Sequence, residues 1–404
     1  MRGFLFYVIL KKKKIMINEG TLLTLLLVLI LGLVIPELFK RSRIPFLSVI
    51  ILAGALFGPY GLNYVQADET ISFFGFLGMA FLMFMAGLET DISQIYKDKK
   101  KIFIMAAINS VIPFLVGVSI VRLFGYDWLT SILIGVIFIS SSVAIIVSSL
   151  KENKSISKDV SRLILSSVMV ADILSLVALG LIFQTSSKIT FLPLPLYFIV
   201  LVLSIFLLLK YIPIISKNLI KKRFFYDYGY ERRLRFVIIV LVAVLAYFSF
   251  LGTHPIIASF LAGLSLSGAI IYEKSEILKS KIHAISYGLF IPIFFFVVGM
   301  DLDLSSFKSF DIKNLLMLSI ILGLILSKIF SGYIAGRLVK LSKKNSALFG
   351  SISITQLTTT LAVTYTASAA GLLDSILVSS IIILAIITTI LGPILSSYIS
   401  KFNN

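Results

Sequence analysis

The chain has no cysteine and only two histidines in 404 residues. Disulfides and thiolate metal sites are therefore excluded, and little is left for a histidine-built metal centre. Charge is scarce as well: 14% of residues are charged against 58% hydrophobic, with a mean hydropathy of +1.05. No soluble globular protein needs that much apolar surface. Long apolar runs recur from Leu22 to Ile399. In lipid only helices or closed barrels satisfy the backbone, and barrel strands would alternate, so the pattern predicts an all-α polytopic membrane protein. The net charge of +18 then reads as Lys and Arg in cytoplasmic loops facing anionic lipid, not as a nucleic-acid surface.

Thirteen spans are expected, at about 20–38, 46–64, 71–88, 102–124, 128–149, 159–184, 190–214, 235–251, 255–272, 284–303, 313–339, 345–371 and 375–399. The linkers are short, so no inserted soluble domain is expected, and residues 400–404 form a short cytoplasmic tail. Residues 1–19 form an N-terminal tail whose basic run, Lys11 to Lys14, follows an apolar stretch instead of preceding it. No small-residue cleavage site accompanies it, so it is a poor signal sequence and Met16 is an alternative initiator. Basic residues crowd the loops after odd-numbered spans, among them Lys40, Arg41, Lys97, Lys99 to Lys101, Lys151, Lys154, Arg223, Lys274, Arg337 and Lys343. The other loops hold only Arg122, Lys188, Lys308 and Lys313. The positive-inside rule puts the N-terminus outside and the C-terminus in the cytoplasm of a multi-pass cell-membrane protein.

Six spans, one linker at about 190–214 and six more suggest two repeats, 20–184 and 235–399, inverted by the odd linker, a common transporter plan. Span 5 is interrupted by Ser140, Ser141 and Ser142, and span 12 by Gln356 followed by Thr358, Thr359 and Thr360. Hydroxyls in membrane helices commonly bond their own carbonyls. Runs at matching places in two halves point instead to discontinuous helices that cross at the midplane, where freed carbonyls and half-helix ends can hold an ion.

Two charges fall deep inside spans, Asp172 in span 6 and Lys328 in span 11. A charge at the centre of a membrane helix costs about 2.5–3.5 kcal/mol on insertion scales and usually faces a wet, functional cavity. A salt bridge that merely locks two helices is the plain alternative, but buried pairs add little net stability. A lone carboxylate sets proton and alkali cation in competition for the same oxygens. Asp172 with the hydroxyls and carbonyls of spans 5 and 12 would supply ligands for Na⁺ or K⁺.

These residues resemble the monovalent cation/proton antiporter superfamily, in the branch of NapA-type sodium/proton antiporters and glutathione-gated bacterial potassium efflux proteins. The likeness covers nearly all of residues 20–399. It is carried by IPFLSVIILAGALFGPYGL (44–62), FLMFMAGLETD (81–91), ISSSVAI (139–145), VMVADI (168–173), IASFLAGLSLS (257–267) and LFIPIFFFVVGMDLDL (289–304). The resemblance implies an NhaA-like fold with broken, crossing spans 5 and 12, Asp172 as cation and proton carrier, Lys328 as its buried charge partner, and a homodimer. It implies exchange of Na⁺, or K⁺ or Li⁺, for H⁺, with no enzyme activity and no cofactor. Ala171 stands where the family usually has Asp, Asn or Gln, and a single carboxylate implies electroneutral exchange. Span 12 reads TQLTTTLAV where many relatives have Gly-Arg-Glu or Gly-Ser-Glu, with Gln356 as a neutral stand-in for the acid. The alternatives are a sodium-coupled symporter of an organic anion and a channel or gated K⁺ efflux pore.

Other polar residues have plainer readings. Asp301 and Asp303 read as solvated span-end charges, with an ion-entry funnel as the alternative. Glu89, Asp91 and Glu37 read as interfacial. His254 and His283 sit at span ends, where a histidine seldom senses pH, and Phe294 to Phe296 read as packing.

Overall fold

The computed structural model describes residues 19–38, 45–90, 98–152, 156–186, 194–221, 230–272, 276–307 and 312–401. The N-terminal tail before Glu19, residues 402–404, Asp91 and the basic residues Lys40, Arg41, Arg43, Lys97, Lys154, Lys188, Arg223, Lys274 and Lys308 lie outside them, as does the side chain of Glu37. Every regular element among the described residues is helical. Ten segments are long and apolar enough to cross a membrane, and three shorter apolar helices accompany them.

In chain order the α-helices are α1 (Glu19–Leu38), α2 (Phe46–Phe57), α3 (Glu69–Glu89), α4 (Lys99–Leu123), α5 (Trp128–Ile139), α6 (Val143–Glu152), α7 (Lys158–Ser186) and α8 (Leu194–Lys221). They continue as α9 (Tyr230–Phe250), α10 (Pro255–Tyr272), α11 (Glu276–Ile285), α12 (Ile291–Met300), α13 (Ile312–Leu338), α14 (Lys343–Ser353), α15 (Thr358–Ala369) and α16 (Ser375–Lys401). Side chains set several starts. Asp68 accepts from the Ile71 amide at 2.8 Å, Asp127 from Leu129 and Thr130 at 2.9 and 3.1 Å, and Ser342 from Asn345 at 3.1 Å, each satisfying an orphan donor of the first turn. The tight turns after α4 and α15 need left-handed backbone, which Gly125 (φ 89°) and Gly371 (φ 70°) supply.

Several boundaries differ from the sequence reading, among them the end of the seventh span, at Lys221. The second span ends at Phe57, not near residue 64, because Gly58 and Pro59 stop the helix. The tenth begins at Glu276 and passes through a π turn, Ser286–Phe290, before α12. Apolar content alone carries no signal for that widened turn.

Packing divides the helices into two bundles. In the first, α3 lies on α10, α2 on α12, and α3 on α12, with α1, α8, α9 and α11 around them. In the second, α4 lies on α5 and α13, α13 on α14, and α7 and α16 close the sides. The bundles meet chiefly where α15 lies on α3, α7 on α10, and α16 on α2. One hydrogen bond of that seam joins Ser48 and Thr389, 2.9 Å apart.

Four glycines seal the first bundle in two reciprocal pairs. A Cβ on Gly54 would strike the Phe296 carbonyl, and one on Gly299 the Ile51 carbonyl. Likewise Gly87 meets the Phe260 carbonyl and Gly263 that of Phe84. Small residues let backbones approach where lipid gives no hydrophobic drive. The sequence repeats around them: Leu52-Ala53-Gly54 matches Leu261-Ala262-Gly263, and Gly87-Leu88-Glu89 matches Gly299-Met300-Asp301. Phe294, Phe295 and Phe296 are fully buried core, as their packing role requires.

Candidate ion-binding site

The first interruption coincides with Ser140–Ser142, and the second lies around Gln356, just ahead of the threonines 358–360 that open α15. Neither contains proline or glycine; α5 stops at Ile139, Ser140 is extended (φ −65°, ψ 164°), and α6 starts at Val143. In the second, α14 stops at Ser353, Leu357 sits at φ −153° and ψ −75°, and α15 starts at Thr358. Serine, threonine and glutamine side chains offer the backbone alternative partners, and here each break satisfies the other. The Ser142 amide donates to the Thr355 carbonyl at 2.7 Å, the Ser141 hydroxyl to the Ser353 carbonyl at 2.7 Å, and Gln356 Nε2 to the Ser140 carbonyl at 2.6 Å. Gln356 Oε1 accepts from Ser140 at 3.3 Å and from Thr360.

Asp172, on α7, stands beside this crossing with 5% of its surface exposed. Its Oδ1 accepts from the Ser141 amide at 3.1 Å and its Oδ2 from the Thr359 hydroxyl at 3.4 Å. Ser141 leads into α6 and Thr359 opens α15, so two half-helix N-termini, the positive ends of their dipoles, face one carboxylate. Lys328, on α13, is completely buried at 0% exposure. Its ammonium donates to the Ile139 carbonyl at 2.6 Å, the Asn109 carbonyl at 3.3 Å and the Ser141 hydroxyl at 3.2 Å. A cation thus closes the C-terminal, negative end of α5.

The two charges are not in direct contact. Ser141 lies between them, giving its amide to Asp172 and receiving Lys328 on its hydroxyl. A helix-locking salt bridge is therefore not what the geometry contains. Of the hydroxyls singled out from the sequence, Ser140, Ser141 and Thr359 join this network with Gln356. Ser142 is buried with an unpartnered hydroxyl, and Thr358 is buried without a hydrogen bond to Asp172. Asn109 and Thr388 were not singled out. Asn109 Oδ1 accepts from Ser331 at 2.9 Å and Ser353 at 3.4 Å, and Thr388 accepts the Gln356 amide at 3.1 Å. A buried amide in an apolar span is a readable signal for Asn109; a threonine pair such as Thr388 and Thr389, common in membrane helices, is not.

Elsewhere the span-end groups separate. Asp303 is buried, not solvated: its amide donates to Ser379 at 3.0 Å and its carboxylate caps Ser305 at 2.9 Å. Asp301 is half-buried, and loss of hydration pushes its carboxyl up to about 6. His254 stacks on Phe183 at 4.5 Å, and burial pushes its imidazole down to about 4, so it stays neutral through the physiological range. Among the described residues no cluster of three or more His, Cys, Asp or Glu could hold a metal ion.

Residues 23–399 match the family described as sodium/hydrogen exchanger, transmembrane. The chain is 30% identical over 372 residues to the "Probable Na(+)/H(+) antiporter 3" of Methanocaldococcus jannaschii, covering 91% of this chain and 93% of that one. It is 28% identical over 386 residues to the Na(+)/H(+) antiporter of Enterococcus hirae, covering 93% and 97%. Its fold is similar to that of the sodium proton antiporter MjNhaP1 of Methanocaldococcus jannaschii, with a TM-score of 0.71 at 19% identity over 94% of this chain and 97% of that one. With nearly the whole apolar region matched, the chain belongs to the sodium/hydrogen exchanger family of transmembrane proteins.

Proposed function

We propose that the protein exchanges a monovalent cation, Na⁺ foremost, for H⁺ across the cell membrane by alternating access. One observation carries this reading: a single buried carboxylate, Asp172, lies where two interrupted helices cross, with half-helix ends and hydroxyl oxygens around it. Na⁺ is a hard cation that takes oxygen ligands, and the Asp172 carboxylate with Thr359 and the freed carbonyls of the breaks can supply them. A proton neutralises the same carboxylate. Either occupant can hold the site, never both, so loading one releases the other and the exchange is one for one.

The division into two bundles supplies the motion. The second bundle contains both breaks, Asp172 and Lys328, and acts as the carrier; the glycine-sealed first bundle acts as the frame. Their seam is thinner than either interior, so rocking one against the other would expose Asp172 to each face in turn. The matching contacts α2 on α12 and α3 on α10, then α4 on α5 and α13 on α14, support two inverted repeats. Positive-inside loops support an N-terminus outside and a cytoplasmic C-terminus, and the lipid-facing apolar surfaces of α8 and α9 leave room for a homodimer.

Proton flux in proteoliposomes tests the reading, followed with a pH dye while Na⁺, K⁺ or Li⁺ is added in turn. Wild-type protein should move protons against Na⁺, and Asp172→Asn should abolish the signal while remaining folded. A folded wild type that moves no protons with any cation would sink the antiporter and favour symport or a channel. Flux that does not saturate and ignores the pH gradient would single out the channel.

A further inference from the structure

Glu89 and Asp301 occupy equivalent places in the two repeats of the frame. Each stands two residues beyond a crossing glycine, Gly87 or Gly299, at the C-terminal end of its helix segment. The helices α3 and α12 run antiparallel: Phe81 stacks on Phe290 with ring centres 4.7 Å apart, whereas Gly75, earlier in α3, faces Val297, later in α12. The two carboxylates therefore mark opposite ends of the frame. By the proposed orientation Glu89 is cytoplasmic and Asp301 external.

Each also lies near the carrier. Glu89 lies within electrostatic reach of Lys151 on α6, and Asp301 within reach of Tyr365 on α15. These are the two half-helices whose N-terminal ends converge on Asp172. Lys151 is eight residues past Val143 and Tyr365 seven past Thr358, so at 1.5 Å per residue each carboxylate is about 10–12 Å out along a half-helix from the site. Tyr365 packs edge-on against Phe294 of the frame at 5.7 Å, and Thr366 donates to Met79 at 3.4 Å, so Asp301 stands where α15 meets the frame. Asp303, two residues on, is committed to capping a turn. Asp68 and Glu69 open α3 at the same end of the frame, whereas Asp301 is the acid within reach of Tyr365 on α15.

We infer that Asp301 and Glu89 are the cation-collecting residues of the outer and cytoplasmic mouths, each raising the local Na⁺ concentration on one face of the seam that leads to Asp172. The inference rests on the exchange proposed above. A carboxylate at the mouth of a low-dielectric cleft concentrates cations without holding them, so it acts on apparent affinity and not on the saturated rate. Lys151 and Lys279 beside Glu89 offset part of its charge, so the outer residue should have the larger effect.

The test is exchange in right-side-out and everted membrane vesicles from a host without sodium/proton exchange of its own. Asp301→Asn should raise the half-saturating Na⁺ concentration about tenfold when Na⁺ is presented outside, leave it unchanged from the cytoplasmic face, and keep the saturated rate. Glu89→Gln should do the reverse with a smaller shift, and Asp301→Glu should restore the wild-type value. The cysteine-free chain allows a second measurement. Asp301→Cys treated from outside with a negatively charged methanethiosulfonate should regain affinity, and with a positively charged one should lose more. Shifts that are absent, or equal on both faces, would overturn the inference while leaving exchange intact. A wild type without Na⁺-driven proton flux from either face would overturn both.

Discussion

The two bundles answer the same problem, how to join helices in a solvent as apolar as their own side chains, in opposite ways. The frame is sealed backbone on backbone, with Gly54 against Gly299's helix and Gly87 against Gly263's. The carrier also packs on glycine, with Gly332 of α13 against Gly350 of α14 and Gly117 of α4 against Gly135 of α5. Its centre is held by Ser140, Ser141, Gln356, Thr359 and Thr360, together with Asp172 and Lys328. A glycine contact has no polar group to trade and resists rearrangement. Hydroxyls and amides that bond each other can bond an ion instead. On the proposed mechanism the first bundle supplies a fixed support, and the polar centre of the second supplies the ligands that exchange.

The largest effect should come from breaking the frame. Gly87→Val puts a side chain into the Phe260 carbonyl, where backbone on both sides leaves no rotamer to yield. We expect a loss of about 4 kcal/mol or more, seen as little folded protein in detergent. Gly32, with open space around its Cβ, is the control: Gly32→Ala should fold normally.

In the carrier the same measurement should report electrostatics instead of sterics. Lys328→Met leaves the Ile139 and Asn109 carbonyls unpartnered and Asp172 without a neighbouring cation. A cost of about 3 kcal/mol is expected. Combining it with Asp172→Asn removes the stranded charge, so the double variant should be less unstable than the two losses added, by about 1–2 kcal/mol. Strict additivity would mean that Ser141 insulates the two charges. A smaller loss follows at Gln356→Ala, which unties the Ser140 carbonyl and the Thr360 hydroxyl across the crossing. Its unfolding temperature should reflect about 1–2 kcal/mol.

Much of this is legible in the sequence itself. Apolar runs of 20 or so residues are an explicit signal, and so are a lone Asp172 and a lone Lys328 within them, because lipid makes each charge expensive. The serine run at 140–142 falls on the first break, and Gln356 lies in the second, whose threonines 358–360 open α15 instead of interrupting it. Other features depend on pairing between distant segments. That Lys328 closes the end of α5 and does not grip Asp172 is decided by where Ser141 falls. The role of Gly87 needed Phe260 opposite, and the solvated reading of Asp303 failed because Ser379 and Ser305 engage it. The π turn at Ser286–Phe290 has no compositional mark at all.

The smallest expected effect is the most selective, because it depends on one proton. Burial places the Asp301 carboxyl at about 6, above the ordinary aspartate range. It is therefore a collecting charge only above that pH and neutral below it. The titratable group facing it from α15, Tyr365, is a phenol that carries no charge anywhere near this range. On the proposed exchange protons also compete at Asp172, which would weaken Na⁺ binding in every variant as pH falls. That common effect cancels in the ratio of half-saturating external Na⁺ between Asp301→Asn and wild type. The ratio should stand near its full value at pH 8, be roughly halved near pH 6, and approach one at pH 5. A ratio that held constant from pH 8 to 5 would mean that Asp301 acts through the shape of the rim and not through its charge.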